Sequence, residues 1–340
     1  MAIPPASHTP PRPASSRLAS LRAPLAAMDL GSNSFHLLVA DVIGGRPRVM
    51  ARRGVKVQLA AGLDADGNLD EAAMQRGLDC LQEFAGMLEQ IAGPRLRIVG
   101  TNALREASNR QVFLARAETL LNHPVEVISG REEARLIYLG AARARAVRGR
   151  RLLIDVGGGS TEMTLGKRMT PQKLESLAMG CVTYSRRFFA DGVLGEAQMQ
   201  AAEQAALEQL AAVRGPYRQA GWHEAVGTSG TVKAIARVLR ASGDTREKGL
   251  ITRAGLERLR TRILGYPHID ALALKGLKAN RAGIFPAGVA IVTAIFDALG
   301  LDKLRFVDGA LREGILYDML SALPAQTASQ RPGKAAQRAP

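Results

Sequence analysis

Hydrophobic positions along the chain follow two periods. LAAMDLG (25–31), FHLLVADV (35–42) and RVMARRGVKVQLA (48–60) are apolar or alternating runs that predict three successive strands, with GGRP turning the chain between the last two. From Asp70 to about Ile91 apolar residues recur at helical spacing. LRIVGT (96–101) then predicts a strand, ALREASNRQVFLARAETLLN one helix, HPVEVIS a short strand and REEARLIYLGAARAR another helix. After a basic run, RLLIDVG (151–157) begins the strand-rich pattern again.

The restart holds at residue level. Superposing AMDLGSNSFHLLVAD on LIDVGGGSTEMTLG by their aspartates pairs Asp29 with Asp155, Gly31 with Gly157 and Ser34 with Ser160, each in a strand–turn–strand setting. One D-x-G match carries nothing, but three matches at a constant offset predict two similarly built α/β domains facing each other. A chain of 340 residues also exceeds what one core usually supports. The expected division is a disordered tail at 1–23, a first domain at 24–146, a second at 147–322 and a disordered tail at 323–340, both tails being Pro-rich and polar.

Composition narrows the classes. The first residues lack the apolar segment of an export signal. AGIFPAGVAIVTAIF (282–296) is shorter than the roughly 18 residues of a bilayer span and reads as a buried helix. With two cysteines, Cys80 in LDCLQEFAGML and Cys181 after a glycine, both read as packing residues, the chain suits a reducing cytoplasm and no membrane insertion. A net charge of +15 suits a polyanionic partner or reflects an arginine-rich surface. At 4% aromatics with one Trp, there is little to stack on bases, which disfavours nucleic acid. The densest basic run, RARAVRGRR (143–151), is expected to be a solvated connector.

The chemistry concentrates in turns. In DVGGGSTE (155–162), three glycines remove side chains from a turn whose backbone N–H groups then suit a phosphoryl group. Asp155 and Glu162 flank it, and two acids beside an anion site make sense if magnesium bridges carboxylate and phosphate. In EAVGTSGTVKAIARVL (224–239), a strand runs through Gly227-Thr228-Ser229-Gly230 into a helix whose N-terminus is a second anion site. Neither a P-loop nor a strand followed by GxGxxG is present.

DLGSNSFHLLVADV, GTNALREASN, VISGREEARLIYLGA, LLIDVGGGSTEMTLG, MGCV, GTSGTVKA and DGALREGILYDML, in that order over about residues 25–320, closely resemble the exopolyphosphatase / guanosine pentaphosphate phosphatase family. That family lies in the superfamily of actin, sugar kinases and heat-shock chaperones. The resemblance implies two ribonuclease-H-like (actin-like ATPase) domains with the active site in the cleft between them. It implies hydrolysis of the terminal phosphoanhydride of inorganic polyphosphate, as the leading reading, or of guanosine pentaphosphate, as the nearest rival. A non-catalytic polyphosphate- or nucleic-acid-binding protein is the reading from another class. Magnesium near Asp29, Asp155 and Glu162 is implied, with activation by a monovalent cation such as K+ left open, and a homodimer.

By motif, Glu133 is the general base. Ser129-x-x-Glu132 has the form of a capping box, which gives Glu132 a local task and leaves Glu133 without one. Arg105 is expected on phosphate. Ser32, Asn33 and Ser34 line the first loop, Gly157, Gly158, Gly159, Ser160 and Thr161 the second, and Gly227, Thr228, Ser229 and Gly230 the third. His36 is expected to be a core or hydrogen-bonded residue. The length resembles the short two-domain form without an added helical domain, with a helix at 309–320 packing back on the first domain.

Overall fold

A computed structural model describes residues 23–323; apart from Ala23 and Leu323, the tails expected to be disordered lie outside the described residues. The first half contains β1 (Leu25–Leu30), β2 (Phe35–Ile43), β3 (Arg46–Val55), α1 (Glu71–Glu89), β4 (Arg95–Gly100), α2 (Asn102–Glu106), α3 (Arg110–Leu121), β5 (Val125–Val127) and α4 (Gly130–Ala144). The second contains β6 (Arg150–Val156), β7 (Thr161–Lys167), β8 (Thr170–Leu177), α5 (Cys181–Phe188), α6 (Glu196–Ala220), β9 (Glu224–Thr228), α7 (Ser229–Ala241), β10 (Leu250–Thr252), α8 (Arg253–Leu264), α9 (Phe285–Leu299), β11 (Lys303–Phe306) and α10 (Leu311–Ser321).

The repeat seen in sequence is a repeat of topology. One sheet runs β3-β2-β1-β4-β5 and the other β8-β7-β6-β9-β11-β10. In each, three antiparallel strands are followed by parallel partners of the central strand, and β10 adds an antiparallel edge. These are two ribonuclease-H-like units.

The central strands β1 and β6 are apolar almost throughout because both their faces are covered. Ala26, Met28 and Leu30 enter a core that includes Leu81 of α1 and Phe113 of α3, while Leu25 and Ala27 face the other way. Leu152, Ile154 and Val156 join a second core with α6 and α9, while Leu153 also faces the other way. Leu25, Ala27 and Leu153 meet in a third core built with α4 and α10. Because strand side chains alternate, Asp29 continues the Leu25–Ala27 face, and Arg151, Leu153 and Asp155 share one face of β6.

Several expected elements end earlier than their pattern suggested. The third strand stops at Val55, because the next residues turn to bond the first loop: Gln58, in a left-handed conformation, donates to the Asn33 carbonyl at 3.0 Å and Ala60 to that of Ser32 at 2.9 Å. The helix expected from Ala103 to Asn122 is two, α2 and α3. At the break, Asn109 bonds the backbone N–H and carbonyl of Leu69, distant in sequence, at 2.8 and 3.0 Å, a tertiary contact the local pattern does not show. The apolar helical stretch is longer than its sequence suggested: Ala279–Leu299 reaches membrane-spanning length, but 72% of its apolar window is buried in the fold, where α9 packs on α6.

The capping box closes only halfway. Ser129 Oγ accepts from the Glu132 N–H at 3.2 Å, but the Glu132 carboxylate pairs with Arg135 at 2.7 Å. Arg135 and Arg97 both hold Asp318 of α10, at 2.9 and 2.7 Å. Glu132 therefore has its structural task, achieved by tying α4 toward α10, which packs on α4 and β1.

Candidate active site

Asp29 is the last-but-one residue of β1 and Asp155 of β6, so both stand at the carboxyl ends of central strands, where α/β sheets place ligands. Both line one cleft of about 270 Å³. Its walls are the β1–β2 loop with Ser32, Asn33 and Ser34, the β6–β7 loop from Gly157 to Ser160, the start of α7 with Thr228, Ser229 and Gly230, and Glu133 from the first turn of α4.

The glycines line the cleft as expected and also have a packing role. Gly157, Gly158 and Gly159 all lack left-handed φ, so backbone handedness does not select them. A Cβ at Gly158 would meet the Ser32 Cβ at 3.0 Å, and one at Gly159 would overlap the Asn102 side-chain oxygen. Gly158 and Gly159 are what let the two loops touch. Gly31 is equally confined, with a Cβ there meeting the Ser34 carbonyl oxygen at 2.9 Å. Gly230 gives room to the Arg281 guanidinium, which a Cβ would overlap.

Electrostatics shape the cleft. Asp29, Glu133 and Asp155 converge in it. Burial pushes the Asp155 carboxyl up to about 8, and the charges of Glu133 and Asp29 push the same way. Burial pushes Glu133 up to about 7, against Arg105, which draws it down, while Asp29 adds to the rise. Lys233, Arg281 and Arg312 line the same cleft.

Four expected site residues do not line this cleft. Glu162 lies opposite Asp155 in the β6–β7 ladder, but its carboxylate accepts from Ser176 Oγ at 2.8 Å; burial, then the charges of Glu133 and Asp155, hold it well above the usual range. Thr161 donates its hydroxyl to the Met179 carbonyl at 2.6 Å and is fully buried. Gly227 makes room for Val232. Arg105 holds Glu133 at 2.8 Å and faces a neighbouring cavity on the far side of Ser160.

Other residues join the site unexpectedly. His36 lines the cleft, its Nδ1 lying 3.5 Å from Asp29 Oδ2, too loose for a hydrogen bond. Register explains it, since Asp29 pairs directly with His36 across β1–β2. Lys233 and Arg312 stand inside the GTSGTVKA and DGALREG motifs, where their charge was a readable signal. Asn102 and Asp308 also stand inside motifs, GTNALREASN and DGALREG, but were not among the expected site residues; Arg281 and Phe306 carried no signal, because chain folding alone brings them there. Cys181 touches the cleft, but burial raises its thiol, so it stays a packing residue.

Would magnesium suit this donor set? No group of three or more His, Cys, Asp and Glu at metal-holding spacing forms among the described residues, so there is no all-protein cage. Magnesium does not require one: it binds through one or two carboxylates, keeps waters and takes phosphate oxygens. Asp29 and Asp155 supply those carboxylates in a site where burial, and then the charges of Glu133 and Asp29, drive Asp155 toward protonation. The set fits.

Residues 38–323 match the profile of the Ppx/GppA phosphatase family. The chain is 44% identical over 313 residues to a guanosine-5'-triphosphate,3'-diphosphate pyrophosphatase of Aliivibrio fischeri, covering 92% of this chain and 62% of that protein. It is 45% identical over 298 residues to the Vibrio vulnificus protein of the same name, covering 88% and 59%. The chain thus spans about three fifths of the length of these relatives. Among solved structures, an exopolyphosphatase from Cytophaga hutchinsonii superposes with a TM-score of 0.80 at 26% identity, over 88% of this chain and 99% of that one. The Aquifex aeolicus PPX-GPPA enzyme gives 0.72 at 25%, over 87% and 99%.

Proposed function

The chain belongs to the Ppx/GppA phosphatase family, and from that premise we propose that it hydrolyses the terminal phosphoanhydride of guanosine pentaphosphate, releasing orthophosphate and guanosine tetraphosphate. The observation carrying this reading is a buried acid, Glu133, raised to about 7 in a cleft lined by both carboxylates and cationic side chains. A general base works best with a pKa near the working pH.

The chemistry follows from named atoms. Arg105 Nη1 occupies Glu133 Oε2 at 2.8 Å, which leaves Oε1 to accept a proton from water. The water oxygen forms a bond to the terminal phosphorus as the anhydride P–O bond opposite it breaks, and the departing oxygen keeps the electron pair. Lys233, Arg281 and Arg312 line the same cleft, and their charge is suited to stabilise negative charge on the departing chain. Asp29 and Asp155 are the residues that would hold magnesium, which would supply positive charge against the phosphate oxygens.

Two features favour a nucleotide over a plain phosphate chain and reverse the order expected from the motifs. Relatives at 44–45% identity bear the pyrophosphatase name. Beside Lys233, Phe306 offers an aromatic face and Asp308 a carboxylate, chemistry that suits a guanine ring with its N–H donors. Inorganic polyphosphate is the second reading, supported by the superposition on an exopolyphosphatase. Phosphate release measured side by side on guanosine pentaphosphate and on polyphosphates of several lengths, with magnesium, tests the ordering; a higher kcat/KM on polyphosphate would reverse it.

A further inference from the structure

The basic run 143–151 is not a plain solvated connector. Arg143 lies over the Tyr317 ring at 5.2 Å, Arg145 pairs with Glu224 at 3.1 Å, and Arg150 donates its backbone N–H to His223 Nδ1 at 3.0 Å. Gly149 takes a left-handed φ of 90° against the His223 ring. Between the C-terminal end of α4, the start of β6 and the β7–β8 turn, this segment encloses a cavity of about 150 Å³. By the ~30 Å³ share of a water molecule, that is room for several waters or one tetrahedral oxyanion.

Arg151 lines this cavity with only 3% of its surface exposed. Its guanidinium donates to the Ala141 and Arg145 carbonyls, but its Nε has no partner. Burial lowers its pKa, the sign of a cation short of compensation. Arg145 and Arg168 stand on the same cavity, and one carboxylate, Glu224, is shared between Arg145 and Arg151, at 3.1 and 4.0 Å. Three guanidinium groups line the cavity and no carboxylate does, Glu224 and Glu247 acting from outside it, which leaves a buried donor among cations, the chemistry that recognises a phosphoryl group.

We propose that this cavity is a second anion site, separate from the cleft, which seats one phosphate group over Arg151 with Arg145 and Arg168 closing on its oxygens. It stands on its own lining and does not depend on the reaction proposed for the cleft. Its position gives it a route to that cleft. Arg151 and Asp155 share one face of β6, and α4 carries Glu133 at one end and Ala142 of the cavity wall at the other.

Hydrogen–deuterium exchange of the whole chain tests the site, with inorganic orthophosphate at millimolar concentration as the probe. Peptides covering 142–151 should exchange roughly threefold or more slowly with phosphate than with chloride at matched ionic strength. Arg145→Ala combined with Arg168→Ala, both exposed positions, should remove that protection while leaving basal phosphate release intact; Arg151→Met should remove it as well. Protection by orthophosphate marks the free ion as occupant. Protection seen only with inorganic polyphosphate or guanosine pentaphosphate, in the Glu133→Gln background and still lost in the double variant, marks the phosphoryl end of a longer chain; both outcomes support the site. Equal protection by chloride, no protection by any phosphate compound, or protection that survives the double variant overturns it.

Discussion

Arg105 holds Glu133 through one 2.8 Å contact while a second donor contact of 3.1 Å fixes the same guanidinium nitrogen on the Ile128 carbonyl. The arginine therefore acts on the acid. It is the neighbour that lowers a carboxyl which burial would otherwise drive higher. A base must be deprotonated, so activity should rise with pH through about 7. In Arg105→Ala the Glu133 pKa rises, and the acidic limb of the kcat/KM profile should move about one unit or more to higher pH, a shift equivalent to ~1.4 kcal/mol. Arg105→Lys should fall between. A loss that is equal at every pH would put Arg105 on the phosphate instead.

The contact between the two loops makes a separate prediction. Gly159→Ala must push Asn102 aside and Gly158→Ala must push Ser32, and overpacking of this kind costs about 1–3 kcal/mol. Each should lower Tm by on the order of 5 °C, with a fall in kcat. Asn102→Ala placed in the Gly159→Ala background should recover a large part of the lost stability, because the cycle relieves the overlap itself. Thermal melts of the single and double variants check this, and additive losses would remove Asn102 as the cause.

The duplicated sheets and both cleft aspartates were legible because they depend on local pattern: an apolar strand, an acid near its end and a small-residue turn are all adjacent in sequence. Glu162 shows where that reading fails. Its place opposite Asp155 follows from strand register, but the direction of its carboxylate depends on Ser176 arriving from β8. Arg105 was expected on phosphate by its motif, and no local pattern announced its 2.8 Å contact with Glu133 from another helix. Arg281 was invisible for the same reason, since a loop distant in sequence delivers it over Gly230. Residue type and spacing report which side chains can do chemistry; which partner each one meets is decided by tertiary packing.

The buried acids also link stability to pH. Glu133, Asp155 and Glu162 are all raised in the folded chain, so the fold binds their protons more tightly than the unfolded chain does. The stability this gives is complete below the ordinary carboxylate range and is lost as pH climbs through the raised values, about 7 for Glu133 and about 8 for Asp155. Metal-free protein should thus melt at a lower temperature at pH 8 than at pH 5.5, by on the order of 5 °C. Added magnesium should raise Tm more at pH 8 than at pH 5.5, because only ionised carboxylates bind it. Scanning calorimetry with and without chelator reads this without any turnover, and a magnesium effect independent of pH would remove Asp29 and Asp155 as its ligands.

Substrate choice can be tested at the Phe306 wall of the cleft. Lys233 sits 5.3 Å from the Phe306 ring centre and 3.8 Å from Asp308, in an exposed pairing too weak to commit either side chain. A polyphosphate chain has only negative charge to offer Asp308, so removing that carboxylate relieves repulsion. A guanine ring has N–H donors, so removing it forfeits hydrogen bonds, each worth about 1.5–3 kcal/mol when charged. Asp308→Ala should therefore lower kcat/KM for guanosine pentaphosphate roughly tenfold or more and leave polyphosphate turnover unchanged or slightly raised. Lys233→Ala should weaken both substrates, since its charge serves any phosphate chain. Equal losses on both substrates in Asp308→Ala would show that the base does not reach this wall, and the nucleotide reading would then rest on the relatives' names alone.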